Sequence, residues 1–302
     1  MEGNIHNDFF ISIIKNKDNA RDFLSEALPK NIVSKIDFKY LDYDDTSYIQ
    51  NRFKDLFSDI VIKTKIGEKD ADIFILVEHK SYLPETNALF LQILSYIYSM
   101  FEKDFNNKKD FRIVIPLIFY HGKEKWGIPK QFIDIYDVDI DFKNDLLNFS
   151  YILYDTAFFD IKNPDLFHKN LLLTSSFIAL KTAFDKDDIE SVKTIIKNLN
   201  ELGMFADFQK VEIFLIYILL TKNLNEDKII EIIKEQNPEG GNKMLTLESY
   251  FIEKGKIEGK IEGKIEGKIE TALKMLQKGI NLSIISDVTE LPISEVEKLK
   301  ID

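Results

Sequence analysis

The stretch SDIVIKTKIGEKDADIFILVEHKS (residues 58–81) decides the fold of this 302-residue chain. It predicts two β-strands joined by a tight four-residue turn at Gly67–Asp70. Side chains alternate between the two faces of a strand, and the second strand is apolar on both, as in a strand that is buried on each side. Glu78 and Lys80 then follow together on one face. Because burying a charge costs free energy, we expect the end of this strand to have a use for both residues.

Composition restricts the class of protein. Hydrophobic residues make up 45% of the chain and aromatic residues 12%, which favours a folded protein over a disordered one. There is no cysteine, so disulfides, thiolate zinc sites and cysteine nucleophiles are excluded. The net charge of −11 disfavours a surface that binds nucleic acid everywhere, but it allows a local basic patch or a bound metal ion. The first ten residues do not resemble a signal peptide, and the longest apolar run, 213–220, is too short to span a membrane, so we expect a cytoplasmic protein without membrane contact.

The order of the predicted elements indicates an α/β fold in which helices flank a mixed central sheet. Two helical segments come first, with Asp18 and Asn19 as candidate caps of the second. The helix after the hairpin is apolar on nearly every side, so we expect it to be buried all round. Pro116 cannot donate to a strand ladder and marks an edge, a bulge or a last pairing. Outside the hairpin, we predict helices at 6–28 and 85–102 and strands at 36–41, 111–120 and 151–154.

Helical periodicity replaces strand patterns from about residue 165 onward. We predict a core at 1–160, a helical extension at 161–252, a repeat connector at 253–270 and a small helical tail at 271–302. The helices of the extension are predicted at 166–184, 189–202, 205–220 and 226–235, with Asp187 or Asp188 and Asn225 as caps.

Residues 255–270 are four copies of Gly-Lys-Ile-Glu. On a helix of 3.6 residues per turn the isoleucines of this repeat drift around the surface. They either contact a second helix, including one from another subunit, or belong to a solvated connector. The tail has the outline of a helix-turn-helix, with Ser283 and Ser294 as candidate N-caps, but its last segment is not clearly basic. We therefore favour a small helical knob or an assembly element over a DNA reader, with a homo-oligomer formed through the repeat and the tail as one expectation.

Two carboxylates lie at the same end of the predicted hairpin. Asp59 begins the first strand and Glu78 ends the second, and these are neighbouring ends in an antiparallel pair. Two close carboxylates attract Mg²⁺ or another hard divalent cation, which polarises a phosphodiester and lowers the pKa of a bound water. Lys80 can position that water or stabilise developing charge. The alternative is a salt bridge between Lys80 and either acid.

The helix after the hairpin adds two polar residues to this region. Gln92 and Tyr96 are four residues apart and therefore share one helix face. A buried glutamine requires hydrogen-bond partners, and the strand ends are the nearest polar cluster. We therefore expect both side chains to line the same site.

The pattern Asp59…Glu78-His79-Lys80 followed by Gln92-x-x-x-Tyr96 resembles the PD-(D/E)XK nuclease superfamily, in the variant whose motif is like that of RecB nucleases. Four segments more narrowly resemble the Rpn family, the recombination-promoting nucleases that are also named YhgA-like transposases. The segments are NARDFLSEALP (19–29), FSDIVIKT (57–64), ILVEHKS (75–81) and VIPLIFYHG (114–122). The resemblance covers residues from roughly 5 to 250.

This resemblance implies a Mg²⁺-dependent DNA endonuclease, linked to DNA recombination, on a restriction-endonuclease-like core. It assigns Asp59 and Glu78 as metal ligands and Lys80 as the catalytic lysine. It also implies an additional acid on the first helical segment, for which Glu26 and Asp22 are candidates, and site-lining roles for Gln92 and Tyr96. The alternative is a nuclease-derived DNA-binding or oligomeric assembly module with little turnover.

Overall fold

The computed structural model of the protein describes residues 2–44, 58–78, 83–122, 124–139, 143–160, 166–206, 208–236, 267–278, 280–289 and 299. The chain divides into two compact units, Met1–Pro238 and Glu239–Asp302. Among the helices within these ranges, none is both long enough and apolar enough to cross a membrane. Lys80, the repeat up to residue 266 and the predicted cap at Ser294 lie outside the described residues. The predicted boundaries between core, helical extension, repeat connector and tail, at residues 160, 252 and 270, stay predictions.

The first unit contains a five-stranded mixed sheet, which confirms the predicted α/β class. Its strands are β1 (Asp42–Asp44), β2 (Ser58–Ile66), β3 (Lys69–Glu78), β4 (Ile113–Tyr120) and β5 (Ile152–Asp155), in that spatial order. The first three strands are antiparallel, whereas β3, β4 and β5 run parallel. Pro116 pairs with Phe74 one residue before β5 joins the ladder at Leu117, so β4 is locally an edge at the proline.

The hairpin of β2 and β3 has a shorter turn than the sequence predicted. Ile66 pairs with Lys69, so the loop consists of Gly67 and Glu68 alone, and the prediction of a four-residue turn was wrong. Gly67 has a φ of 62°, which is the positive value that a type II′ turn requires at its first loop residue. Glycine reaches this conformation without strain, and a two-residue loop continues the twist of the strands.

Eight described helices belong to the first unit: α1 (Glu2–Ile14), α2 (Lys17–Ala27), α3 (Lys30–Val33), α4 (Thr86–Asn106), α5 (Leu171–Thr182), α6 (Ile189–Glu201), α7 (Phe208–Thr221) and α8 (Glu226–Gln236). Helices α5 to α8 correspond to the four helices predicted beyond residue 165. Asp188 caps α6 through the Ser191 N–H, and Asn225 accepts from the Lys228 N–H at the start of α8, as predicted.

Helices cover the sheet on both faces. On one face, the ring of Tyr96 in α4 stacks on Phe74 of β3 with centroids 3.8 Å apart. On the other face, Phe10 of α1 stacks on Phe119 of β4 at 4.2 Å, and Phe177 of α5 contacts the same ring edge-on. Residues 71–75 of β3 are therefore no more than 2% exposed, which confirms that this strand is buried from both sides.

Two local predictions in the first forty residues were wrong. The cap of α2 is Asn16, whose side chain accepts from the N–H groups of Asp18 and Asn19. Residues 36–41 form no strand beyond a single bridge from Ile36 to Ile66, and Phe38–Tyr40 make a 3₁₀ turn instead. The Asp37 carboxylate accepts from the Lys39 N–H, and such local bonds compete with strand pairing.

The second unit has a small core of its own. Residues 267–277 and Leu282–Thr289 are helical, and Ala272 and Ile285 are fully buried between them. Ile269, the last isoleucine of the repeat, packs against this core. The second of these helices begins at Leu282, so Ser283 lies inside its first turn and the prediction of Ser283 as the N-cap was wrong.

Helix α4 is not buried all round. Its inner face packs on the sheet, but Leu91, Tyr98 and Phe105 are 54%, 57% and 72% exposed, which contradicts the expectation from its apolar sequence. A straight helix on a sheet can bury only the face that it turns toward the strands. The exposed apolar face therefore needs a separate explanation.

A buried ion-pair network ties α4 to the end of the sheet nearest the hairpin turn. Arg112, just before β4, donates from Nη1 to Asp72 of β3 at 3.0 Å and from Nε to Asp104 of α4 at 2.9 Å, and its Nη2 also pairs with Asp104. Both aspartates are 2% exposed. The hydrogen bonds from Arg112 hold the pKa of Asp104 below its usual range.

Replacing Arg112 with methionine should lower the free energy of unfolding by about 3 kcal/mol, because two buried carboxylates lose their counter-ion. The loss is measured by urea unfolding at pH 7. Because the folded-state pKa of Asp104 is depressed, its stabilisation is complete above the unfolded-state pKa of about 4 and disappears as the pH falls through the folded-state value. The difference between the variant and the wild type should therefore shrink in acid.

Lys228→Met is the control, since Lys228 forms an exposed pair with Glu231 on α8. The control should unfold at the wild-type urea concentration. An Arg112→Met variant as stable as this control would contradict a stabilising role for the network.

Candidate functional site

The strand register brings the two predicted metal ligands to one end of one sheet face. Asp59 pairs with Leu76, and Glu78 follows two residues further along β3, so positions 59, 76 and 78 belong to the same face. Phe74 belongs to this face as well, and it is covered by α4. The side chains of Asp59 and Glu78 and the whole of Lys80 lie outside the described part of the chain, so their roles stay predictions.

Gln92 is a buried polar residue on the inner face of α4. It is 2% exposed, and within the described residues neither its amide nitrogen nor its amide oxygen has a hydrogen-bond partner. A helix that connects two parallel strands runs back along them, so Gln92 lies about 6 Å nearer the end of β3 than Tyr96 does. Since Tyr96 stacks on Phe74, Gln92 is placed over the part of the face that contains positions 76 and 78.

Among the described residues, nothing offsets the burial of the Gln92 amide. Leaving a buried polar group without a partner costs about 1–3 kcal/mol, and such groups in folded proteins call for an explanation. An amide that supplies a donor and an acceptor suits a site that binds a hydrated cation or a phosphate oxygen. The Gln92 amide therefore fits the cation that the resemblance implies, and Asp59 and Glu78 stay its predicted ligands.

The two candidates for the additional acid have different surroundings. Asp22 is buried and accepts from Asn170 Nδ2 at 2.9 Å and from Arg21 Nε at 3.1 Å, so it joins α2 to the start of α5. Glu26 is exposed and lines a cavity of about 410 Å³ beside β5. Burial and the nearby charge of Glu26 raise the pKa of Tyr154 in this cavity. Gln92 and Tyr96 do not line it, so the described side chains do not bring Glu26 to the predicted site.

Asp155 is an acid that the sequence reasoning missed. It ends β5, and in the ladder it pairs with Tyr120, which in turn pairs with Glu78, so the three residues form one row at the carboxyl ends of the parallel strands. Asp155 is buried, its carboxylate accepts from the Ala157 N–H at 2.8 Å, and burial raises its pKa. The sequence ILYD at 152–155 repeats the signal seen at Glu78, an acid that closes an apolar strand.

No cluster of three metal-binding side chains is found among the described residues. This finding does not cover the predicted pair, because the side chains of Asp59 and Glu78 are not described. The cation site accordingly stays a prediction supported by the backbone register and by Gln92.

One known protein family matches most of the first compact unit, Met1–Pro238. The family model described as "Putative transposase, YhgA-like" matches residues 4–209. The chain belongs to this family. The predicted resemblance to the Rpn family is thereby confirmed, and the chain is also similar to curated proteins named as recombination-promoting nucleases.

Four relatives from Escherichia coli show how the likeness is distributed. Recombination-promoting nuclease RpnD of strain O157:H7 is 29% identical over 119 residues, 39% of this chain and 45% of RpnD. Recombination-promoting nuclease RpnC of strain K12 is 22% identical over 97% of this chain and 96% of its own. Inactive recombination-promoting nuclease-like protein RpnE of strain K12 is 25% identical over 96% of both. Recombination-promoting nuclease RpnA of strain K12 is 28% identical over 39% of this chain and 40% of its own. The chain thus spans less than half of RpnD and RpnA, but nearly all of RpnC and RpnE. No solved structure matches the chain.

Replacing Gln92 with methionine should leave the free energy of unfolding unchanged or raise it by up to about 1 kcal/mol, because an unpartnered buried amide is exchanged for an apolar side chain of similar shape. Urea unfolding measures the difference, and the same substitution at the exposed Gln131 serves as the control. A loss of about 2 kcal/mol or more for Gln92→Met alone would show that the amide is already hydrogen-bonded within the free protein.

Proposed function

We propose that the protein is a metal-dependent DNA endonuclease of the PD-(D/E)XK type that hydrolyses phosphodiester bonds. The observation that carries this proposal is the buried Gln92 amide, which has no hydrogen-bond partner among the described residues and lies over the face that positions 59 and 78 share. The names of RpnA, RpnC and RpnD as nucleases support the reaction class. The mixed sheet with helices on both faces supports the core.

Each site residue has a role that its chemistry allows. Asp59 and Glu78 supply carboxylate oxygens, the ligands that Mg²⁺ prefers. Together they would hold a cation, which would supply Lewis-acid chemistry to the phosphodiester and to an attacking water. Lys80 orients the attacking water or stabilises charge on the phosphate oxygens. Gln92 holds a water or a phosphate oxygen through its amide, and Tyr96 fixes α4 over the face through its stacking on Phe74.

The location of the site fits a protein with a large negative charge. With a net charge of −11, the surface as a whole repels phosphates. A divalent cation at the strand ends provides local positive charge where the substrate must bind. Binding of DNA is then expected to depend on the cation as well as on salt.

A second function is favoured by one comparison. RpnE, which aligns with 96% of this chain, is named an inactive nuclease-like protein. By this reading the fold binds DNA or assembles without turnover, and the carboxylates at the strand ends are dispensable. The two functions differ in what they predict for Glu78.

Replacing Glu78 with glutamine should reduce Mg²⁺-dependent DNA cleavage by more than about 100-fold, because the cation loses a charged ligand. Cleavage of supercoiled and linear DNA is measured with Mg²⁺, Mn²⁺ or Ca²⁺. Glu68→Gln is the matched control, since Glu68 lies in the exposed turn at the opposite end of the same hairpin. It should cleave at the wild-type rate.

The outcomes separate the two functions. Loss of cleavage in Glu78→Gln with an unchanged circular dichroism spectrum supports the endonuclease. A wild-type protein that binds DNA but never cleaves it with any of these cations, and binds equally after Glu78→Gln, supports the inactive module and overturns the catalytic proposal.

A further inference from the structure

The exposed face of α4 carries an apolar stripe at a spacing typical of helix pairs. Leu91, Tyr98 and Phe105 recur every seven residues, and Leu94 and Phe101 follow three residues after the first two. Recurrence at this spacing keeps the five side chains on one face of the helix, where they form a continuous apolar stripe. The first three are more than half exposed and the other two are partly exposed.

The stripe is the size of a patch that is often functional in other proteins. The ring of Phe111 extends it, since it stacks on Phe101 with centroids 4.8 Å apart and Phe111 is itself 54% exposed. Large aromatic side chains have roughly 150–250 Å² of surface each, so Tyr98, Phe105 and Phe111 together with Leu91 expose on the order of 400 Å². The largest apolar patch on a typical monomer measures about 300–600 Å² and is often functional, so this area is that of a candidate contact surface.

We propose that α4 pairs with α4 of a second copy of this chain in an antiparallel, two-fold symmetric contact centred on Tyr98. A two-fold axis through Tyr98 places Leu91 of each copy against Phe105 of the other. The stripe is then buried against itself, as an isologous interface requires.

The charges at the two ends of α4 favour the antiparallel orientation. Exposed Glu85 caps the start of the helix, and exposed Lys108 and Lys109 follow its end, where they outnumber Asp110. Antiparallel pairing brings the acidic end of one helix beside the basic end of the other, and it also opposes the two helix dipoles favourably. Parallel pairing would place the lysines of one copy beside those of the other.

The chemistry of the stripe favours a second copy of the chain over a nucleic acid or a different protein. A nucleic acid would require exposed cations along the stripe, whereas the charged residue between Tyr98 and Phe105 on this face is Glu102, whose carboxylate accepts from the Tyr98 hydroxyl at 2.8 Å. A second copy, turned by the two-fold axis, presents the same apolar stripe and places its basic end beside the acidic end of the first. No other protein is therefore needed to cover the stripe. The pairing also leaves the inner face of α4, with Gln92 and Tyr96, on the sheet of its own copy.

Light scattering on the full-length protein tests the proposal. We expect the wild type to have the mass of two 35.2 kDa chains. Tyr98→Glu should weaken the dimer by at least about 100-fold, because two carboxylates meet on the two-fold axis. Leu220→Glu is the control, since Leu220 is 66% exposed on α7, outside the stripe, and it should remain dimeric. Circular dichroism confirms that both variants are folded.

Single cysteines define the orientation, because the chain contains none of its own. On mild oxidation, Tyr98→Cys should form a covalent dimer, and so should a mixture of Leu91→Cys with Phe105→Cys, whereas Leu91→Cys alone should not. Covalent dimerisation of Leu91→Cys alone would overturn the antiparallel contact.

Two results overturn the interface itself. A wild-type chain that is monomeric well above micromolar concentration shows that no second copy covers the stripe. A dimer that persists unchanged in Tyr98→Glu and gives no covalent product with Tyr98→Cys shows that the copies meet elsewhere, for instance through residues 239–302.

Discussion

The register of the β2–β3 hairpin is the constraint on which the candidate site depends. Because side chains alternate along a strand, a shift of one residue would move position 59 to the face covered by α1 and α5, away from α4. The two-residue turn fixes this register, and Gly67 allows it by adopting a positive φ. A substitution in the exposed turn that shifts the register would therefore alter the candidate site at the opposite end of the strands.

The two ends of this sheet face differ in how their polar groups are satisfied. Near the turn, Arg112 neutralises two buried aspartates, and the hydrogen bonds around it are made within the protein. At the other end, the Gln92 amide is buried without a partner among the described residues, over the face to which positions 59 and 78 belong. The first arrangement stabilises the fold, whereas the second leaves a buried amide that no described group stabilises. A binding role explains why a folded chain retains the second.

Much of this could be predicted from the sequence, because strong periodic patterns leave few alternatives. The hairpin, β4, β5 and the helices α4 to α8 follow from such patterns. The strand predicted at 36–41 failed because Asp37 bonds locally to the backbone, which competes with pairing. The exposed face of α4 could not be predicted, since apolar residues all round a helix do not indicate which side meets the sheet. Asp155 was missed because its role depends on a ladder with β4 that only the fold reveals.

The central claim is that the ends of β2 and β3 form a divalent cation site, and calorimetric titration with Mg²⁺ in the absence of DNA tests it most directly. The account predicts binding by the wild type that is lost in both Asp59→Asn and Glu78→Gln. Binding should be kept in Asp70→Asn, which changes an acid at the exposed turn end of the same hairpin. Equal binding by all four proteins, or no binding by any of them, would contradict the account.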